Sequence, residues 1–195
     1  GQQTKKVKSE AANAKNLEQA GDVKIVIDGG TLTVDAEGDG LDANGSIEIN
    51  GGTVVVNGPT SGANAALDYD DNATLNGGTV LFVDNGEMTM GFGSDSSQAF
   101  LMASVQGTAG TTVEVIDSSG KTVASLKAFK SFSTVLISSP DIKDGEKYTI
   151  KVGSNSTTAT ASKQAANIGG GPGGGQPGQG APGGQPGQGG RPGGR

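Results

Sequence analysis

Ile25-Val26-Ile27-Asp28-Gly29-Gly30-Thr31-Leu32-Thr33-Val34 is followed by Ile47-Glu48-Ile49-Asn50-Gly51-Gly52-Thr53-Val54-Val55-Val56, and then by Ala73-Thr74-Leu75-Asn76-Gly77-Gly78-Thr79-Val80-Leu81-Phe82-Val83. The Gly-Gly-Thr steps begin at Gly29, Gly51 and Gly77, spacings of 22 and 26 residues. A repeat of this length is one supersecondary unit that cannot bury its apolar face alone and must stack on copies of itself.

Alternate residues of a strand share a face. Ile25 and Ile27 therefore point one way, with Ile47 and Ile49, then Ala73 and Leu75, as equivalents. Past the glycine corner the inward series is Leu32 and Val34, Val54 and Val56, Val80 and Phe82. Lys24, Thr33, Glu48 and Thr74 take outward places. A third arm repeats too: Gly40-Leu41-Asp42-Ala43-Asn44 aligns with Ala66-Leu67-Asp68-Tyr69-Asp70. Three short arms per repeat predict an all-β fold, a short right-handed parallel β-helix of about three to four coils over 21–96. Val7-Lys8-Ser9-Glu10 matches the third arm one coil earlier, so 1–20 reads as a partial first coil. A sandwich of hairpins is the competing reading, but hairpins do not need the same corner at the same place each time.

Over 97–153 the texture becomes antiparallel. Strands are expected at Ala99–Val105, Thr112–Ile116, Thr122–Leu126, Ser133–Ser138 and Tyr148–Val152, with a hairpin turn at Asp117-Ser118-Ser119-Gly120. This small unit is expected to cap the stack, whose open end would otherwise present unpaired backbone groups. Pro140-Asp141 and Lys143-Asp144-Gly145-Glu146 read as turns without a functional role.

Residues 154–168 read as a Ser/Thr/Ala/Asn linker, and 169–195 form a Gly/Pro/Gln-rich low-complexity tail in which QPGQG occurs twice. Glycine does not recur strictly every third residue, which argues against a collagen helix. The tail reads either as a flexible arm or as extended polyglycine- or polyproline-like helices that pack on neighbouring subunits.

Composition removes whole classes of function. With no Cys and no His among 195 residues, disulfides, cysteine zinc sites, Ser-His triads and His-ligated metals are absent. A net charge of −6 argues against nucleic acid as a partner. No apolar run approaches a membrane span, so membrane insertion is not expected. No signal peptide is visible, which decides nothing, since a mature extracellular protein also lacks one.

Gly38-Asp39-Gly40-Leu41-Asp42-Ala43-Asn44-Gly45-Ser46, running into Ile47-Glu48-Ile49-Asn50-Gly51-Gly52-Thr53, is a characteristic phrase. So are Asn57-Gly58-Pro59-Thr60-Ser61-Gly62 and Ala66-Leu67-Asp68-Tyr69-Asp70. Downstream stand Asp117-Ser118-Ser119-Gly120-Lys121, Lys130-Ser131-Phe132 and Ile137-Ser138-Ser139-Pro140-Asp141. Over about 21–153 the chain resembles the C-terminal part of the clostridial-type β-helix family of carbohydrate-binding domain-containing proteins, in which Gly-rich tails are also common. The resemblance implies an extracellular protein, secreted or cell-wall associated and non-catalytic. It implies binding of acidic polysaccharide such as polygalacturonate, with calcium bound along the helix. The chain is short for that family, whose members carry more coils before this point.

The candidate calcium ligands are Asp39, Asp42, Asp68, Asp70 and Asp71. Stacked strands lie about 4.8 Å apart, so aligned carboxylates repel unless something neutralises them. Calcium takes six to eight oxygens and suits carboxylates. Asp42 over Asp68 is therefore either a calcium site or a solvated outward face, and Lys8 one coil below is a possible ion-pair partner. Asp35, Glu37, Asp84 and Glu87 form a second acidic group that reads as solvated. Without Trp, sugar stacking falls to Tyr69, Tyr148 or an exposed Phe; Tyr69 aligns with Ala43, so core filling is as good a reading.

Catalysis is not expected. Pectate lyases use calcium with a basic residue, but the coils after Gly21 hold only Lys24, and arginine is absent until the tail. A carboxylate pair at glycosidase spacing is met by chance in any acidic ladder. Two non-enzymatic readings stand: a surface module binding acidic polysaccharide, and a filament subunit whose coils stack end to end while the tail packs on neighbours.

Overall fold

A computed structural model describes residues 23–164, and every regular element in them is a strand. The partial coil expected over 1–20, with Lys8, and the tail from Gly169 lie outside the described residues.

The repeat builds eight short strands. The first set is β1 (Lys24–Ile27), β2 (Thr31–Asp35) and β3 (Leu41–Ala43). The second is β4 (Ser46–Ile49), β5 (Thr53–Asn57) and β6 (Leu67–Tyr69), and the third β7 (Asn72–Leu75) and β8 (Thr79–Asp84). Each pairs in parallel with its equivalent, giving the ladders β1-β4-β7, β2-β5-β8 and β3-β6. The register is the one the phrases dictate: Ile25↔Ile47↔Ala73, Ile27↔Ile49↔Leu75, Val34↔Val56↔Phe82 and Leu41↔Leu67.

Like residues stacked on like give a narrow apolar core. Ile47, Ile49, Val54, Val56, Leu67 and Leu75 are its fully buried centre. From β8 onward it is closed by phenylalanines: Phe82 of β8, then Phe92 and Phe100, meet in sequence edge to face at centroid distances of 5.7 and 5.6 Å. That geometry suits the ring quadrupoles.

The glycine corners must be glycine. Gly52 and Gly78 have φ of +90° and +93°. A Cβ on Gly52 would lie 2.7 Å from the Gly30 carbonyl oxygen, and one on Gly78 2.8 Å from that of Gly52. Backbone thus stacks on backbone at each corner, and the Thr53 and Thr79 N–H groups donate to those same carbonyls at 2.8 and 2.9 Å.

The second half of the described chain is β9 (Leu101–Gly107), β10 (Thr112–Ile116), β11 (Thr122–Lys127), β12 (Phe132–Ser138), β13 (Lys147–Val152) and β14 (Asn155–Thr160). β12 pairs antiparallel with the free edge of β8 (Val135↔Val83, Ile137↔Leu81) and β9 pairs beyond it, extending the ladder to the mixed sheet β2-β5-β8-β12-β9. The order β11-β10-β13-β14 forms a separate antiparallel sheet. The hairpin at Asp117 closes through its carboxylate, which accepts from the Ser119 and Lys121 N–H groups, both at 2.9 Å, with Gly120 at φ +87°.

Two expectations are corrected. The antiparallel unit does more than take the end of the ladder. A second core joins Val55, Leu81, Val83, Val135 and Ile137 of the mixed sheet to Val113, Val115, Tyr148 and Ile150 of the four-stranded sheet. From β5 inward the mixed sheet is buried on both faces, which is why β5 and β8 lose the alternating burial of β2. The signal was present: the outward series Thr33, Val55, Leu81 turns apolar along the ladder. The linker read over 154–168 is also revised, because β14 occupies Asn155–Thr160 and pairs along its full length with β13. Its polar composition resembles a loop, yet Thr157 and Ala159 alternate inward at a sheet edge where the other positions stay wet. Beyond it Ser162 bridges Phe100 through reciprocal backbone hydrogen bonds.

Candidate functional site

The parallel register that stacks Leu41 on Leu67 also stacks Asp42 on Asp68. Asp42 points outward between buried Leu41 and Ala43, so it is exposed by strand parity. Although exposed, its carboxyl is held above the ordinary carboxylate value. Partial loss of hydration is the first cause, followed by the negative charges of Asp68, Asp39 and Asp70. The last three causes are electrostatic signatures of uncompensated acid on one surface.

The other aspartates have local duties. Asp39 Oδ1 accepts from the Ala65 N–H at 2.8 Å, tying the loop before β3 to the loop before β6. Asp71 Oδ2 accepts from Ser46 Oγ at 2.8 Å. Asp70 is exposed, and its N–H donates to the Ala43 carbonyl at 3.1 Å. Among the described residues no three Asp or Glu side chains gather closely enough to hold a metal ion. Among the described residues, the stacked pair Asp42 and Asp68 supplies fewer oxygens than the six to eight that calcium takes.

Tyr69 is half-buried, packs against the inner core and donates its hydroxyl to the Gly91 carbonyl at 2.7 Å. Burial first, then the charge of Asp68, raises its phenol above the usual value. Tyr148 is buried in the second core.

The second acidic group is not simply solvated, as its composition implied. Asp84 is 3% exposed; its Oδ2 accepts from the Ala66 N–H and its Oδ1 from the Gly86 N–H and Thr89 Oγ1. It organises the loop after β8. Asp35 and Glu37 instead flank the ammonium of Lys130, each at 3.0 Å. On the β1-β4-β7 face, Lys24 pairs with Glu48, so the single base on that face is engaged.

Sequence reasoning passed over a side-chain ladder at the corners. Asn50 Nδ2 donates to Asp28 Oδ1 at 2.8 Å, Asn76 Nδ2 donates to Asn50 Oδ1 at 2.9 Å, and Ser97 closes the row on Asn76 Oδ1. The residue before each Gly-Gly pair was the available signal: Asp28, Asn50 and Asn76 stand at that place in all three phrases. Also unforeseen is an uncharged groove made of two adjoining depressions of about 350 and 400 Å³, which share Gln106 and Ser133. It is lined by hydroxyl and amide side chains around the edge of Phe132.

Searches of curated proteins and of solved structures gave no match. A family model described as carbohydrate-binding domain-containing protein matches residues 2–174, most of the chain, and the chain belongs to that family.

Proposed function

We propose that this chain is a non-catalytic, extracellular module that binds acidic polysaccharide of the polygalacturonate kind. The observation that carries the reading is Asp42 stacked on Asp68, with Asp39 and Asp70 adding their charge to the same surface. The three parallel ladders are read as coils of a right-handed parallel β-helix, supported by in-register pairing at every arm. A coil repeat sets carboxylates at strand spacing along one face, and a polyuronate sets carboxylates along a chain. Calcium in this reading is a shared counter-ion, with Asp42 and Asp68 giving part of its oxygens and the glycan's carboxylates the rest. Family membership supports carbohydrate as the ligand class. Affinity electrophoresis through polygalacturonate tests it: retardation with calcium that is lost in chelator, and lost in the Asp42→Asn/Asp68→Asn double variant, is the expected result. Equal mobility in all three cases overturns it.

A second reading is a filament subunit, favoured by one observation. Among the described residues β1, β2 and β3 are each the terminal strand of their ladder on the same side, and Val23 and Val26 are exposed there. Edge strands template further pairing. Electron microscopy with and without residues 169–195 distinguishes it: filaments that vanish on deletion favour stacking with tail packing, and monomers in both samples refute it.

A further inference from the structure

The corner ladder ends at a cleft. Beyond Asn76 and Ser97, a depression of about 350 Å³ is bounded by the Pro140–Asp144 turn and by Lys163. Two features set it apart from the uncharged groove. It gathers two lysines, Lys143 and Lys163, against one acid, Asp144. Neither lysine forms an ion pair among the described residues, whereas Lys24 and Lys130 are both paired with acids. Lys163 is half-buried as a residue, and among the described residues no carboxylate lies within ion-pair distance of its ammonium. An ammonium with no carboxylate close by has its charge and donors available to an incoming anion.

The rest of the lining fits a sugar. Ala99, Pro140 and Ile142 supply an apolar wall, with Pro140 exposed. Asn76 and Ser97 are fixed by the ladder, Ser97 Oγ lying 3.2 Å from Asn76 Oδ1. Gln98 is tied down by Nε2 donating to the Gly78 carbonyl and to Ser138 Oγ, both at 2.8 Å. Pre-organised polar groups beside an apolar wall are the usual furniture of a small-molecule site, and about 350 Å³ falls within the normal range of such pockets. On a chain of net charge −6, a polyanion is repelled on average and needs a local cationic foothold.

We infer that this cleft seats the carboxylate of a hexuronate residue between Lys143 and Lys163, with its ring against Pro140, as a calcium-independent subsite. This deepens, and rests on, the reading of the chain as a binder of acidic polysaccharide.

The experiment titrates trigalacturonate, and a neutral trisaccharide of the same length, into the full chain by calorimetry in chelator and again in calcium. Wild type is expected to bind the acid in chelator, more weakly as salt rises, and to bind the neutral sugar at least about tenfold more weakly. Lys143→Gln/Lys163→Gln should lose about tenfold in chelator. The control Lys121→Gln/Lys151→Gln, at lysines outside the cleft that form no ion pair among the described residues, should match wild type. Thermal melts of both variants check that the fold is kept, and Lys143→Gln alone, at an exposed turn, serves if the double variant melts early. If wild type binds in calcium but the lysine variant is unchanged in both buffers, the subsite is refuted while the polysaccharide reading stands. If the acid binds in neither buffer, both fall.

Discussion

Lys130 Nζ lies 3.0 Å from Asp35 Oδ1, joining the loop between β11 and β12 to the far edge of the mixed sheet, where β2 ends. The same ammonium donates to the Ala36 carbonyl at 2.6 Å and pairs with Glu37 at 3.0 Å. Its own side chain is 14% exposed, so one part-buried cation holds down a loop that no strand pairing secures. Burial works to lower its pKa, but hydrogen bonds to Asp35 and Glu37, and their charges, outweigh that and leave it raised above 10.5. A raised lysine contributes stability that is complete below its unfolded value and is lost as pH climbs through the folded one. Lys130→Met should therefore cost about 1–3 kcal/mol, with the same cost throughout the neutral range. Urea melts at several pH values check this; a cost that changes between mildly acidic and neutral pH contradicts the assignment.

Asn57 makes the neighbouring connection from within. It is fully buried, donates through Nδ2 to the Val34 carbonyl at 3.1 Å and accepts the Phe129 N–H on Oδ1 at 2.7 Å. Asn57→Leu keeps the volume but removes both of these hydrogen bonds from a fully buried side-chain position. A loss of about 2–4 kcal/mol is expected. Hydrogen exchange at the Phe129 amide should accelerate selectively, a readout that general loosening of the core does not produce.

The glycine corners give a graded series. Gly30, at φ +83°, has open space where a Cβ would go, whereas Gly52 and Gly78 each face a backbone oxygen inside 3 Å. Gly30→Ala should cost about 1–2 kcal/mol, the left-handed backbone penalty alone. Gly52→Ala and Gly78→Ala should cost more, because the adjacent corner has to shift as well. Chemical denaturation of the three variants orders them; equal costs argue against backbone stacking at the corners.

These corners also explain how much was readable beforehand. The Gly-Gly-Thr phrase carried the register of all three arms, because side-chain parity and a fixed corner leave no freedom once one arm is aligned. The stacking of Asp42 on Asp68 came with it. The Lys130 contacts and the bond from Ala66 to Asp84 were not legible: each joins segments distant in the chain, and no periodicity links them. The second core was signalled only by Val55 and Leu81 standing where Thr33 had been. The lysine cleft joins Asn76, Lys143 and Lys163, three separate stretches that only the tertiary fold brings together.

Asp42 gives the last expectation, where the sign runs opposite to that of Lys130. Its folded carboxyl is raised above the ordinary 3.8 by lost hydration, then by Asp68, Asp39 and Asp70. In the pH range above the folded value both folded and unfolded states are ionised, and the folded state bears the repulsion. As pH falls through the folded value toward 3.8, the folded state takes the proton first and gains stability. Asp42→Asn removes the charge at every pH. The variant should melt about 1–2 °C above wild type at neutral pH, the scale of a surface substitution in a domain of this size. That advantage should shrink as the buffer is acidified and be gone below 3.8, where both states of the wild-type carboxyl are protonated. Added calcium should close the same gap at neutral pH by raising wild type alone, since the ion relieves a repulsion the variant no longer has. Scanning calorimetry across pH, with and without calcium, reads both effects. A variant less stable than wild type at neutral pH, or a gap that widens in acid, would show that the stacked aspartates are already compensated within the fold.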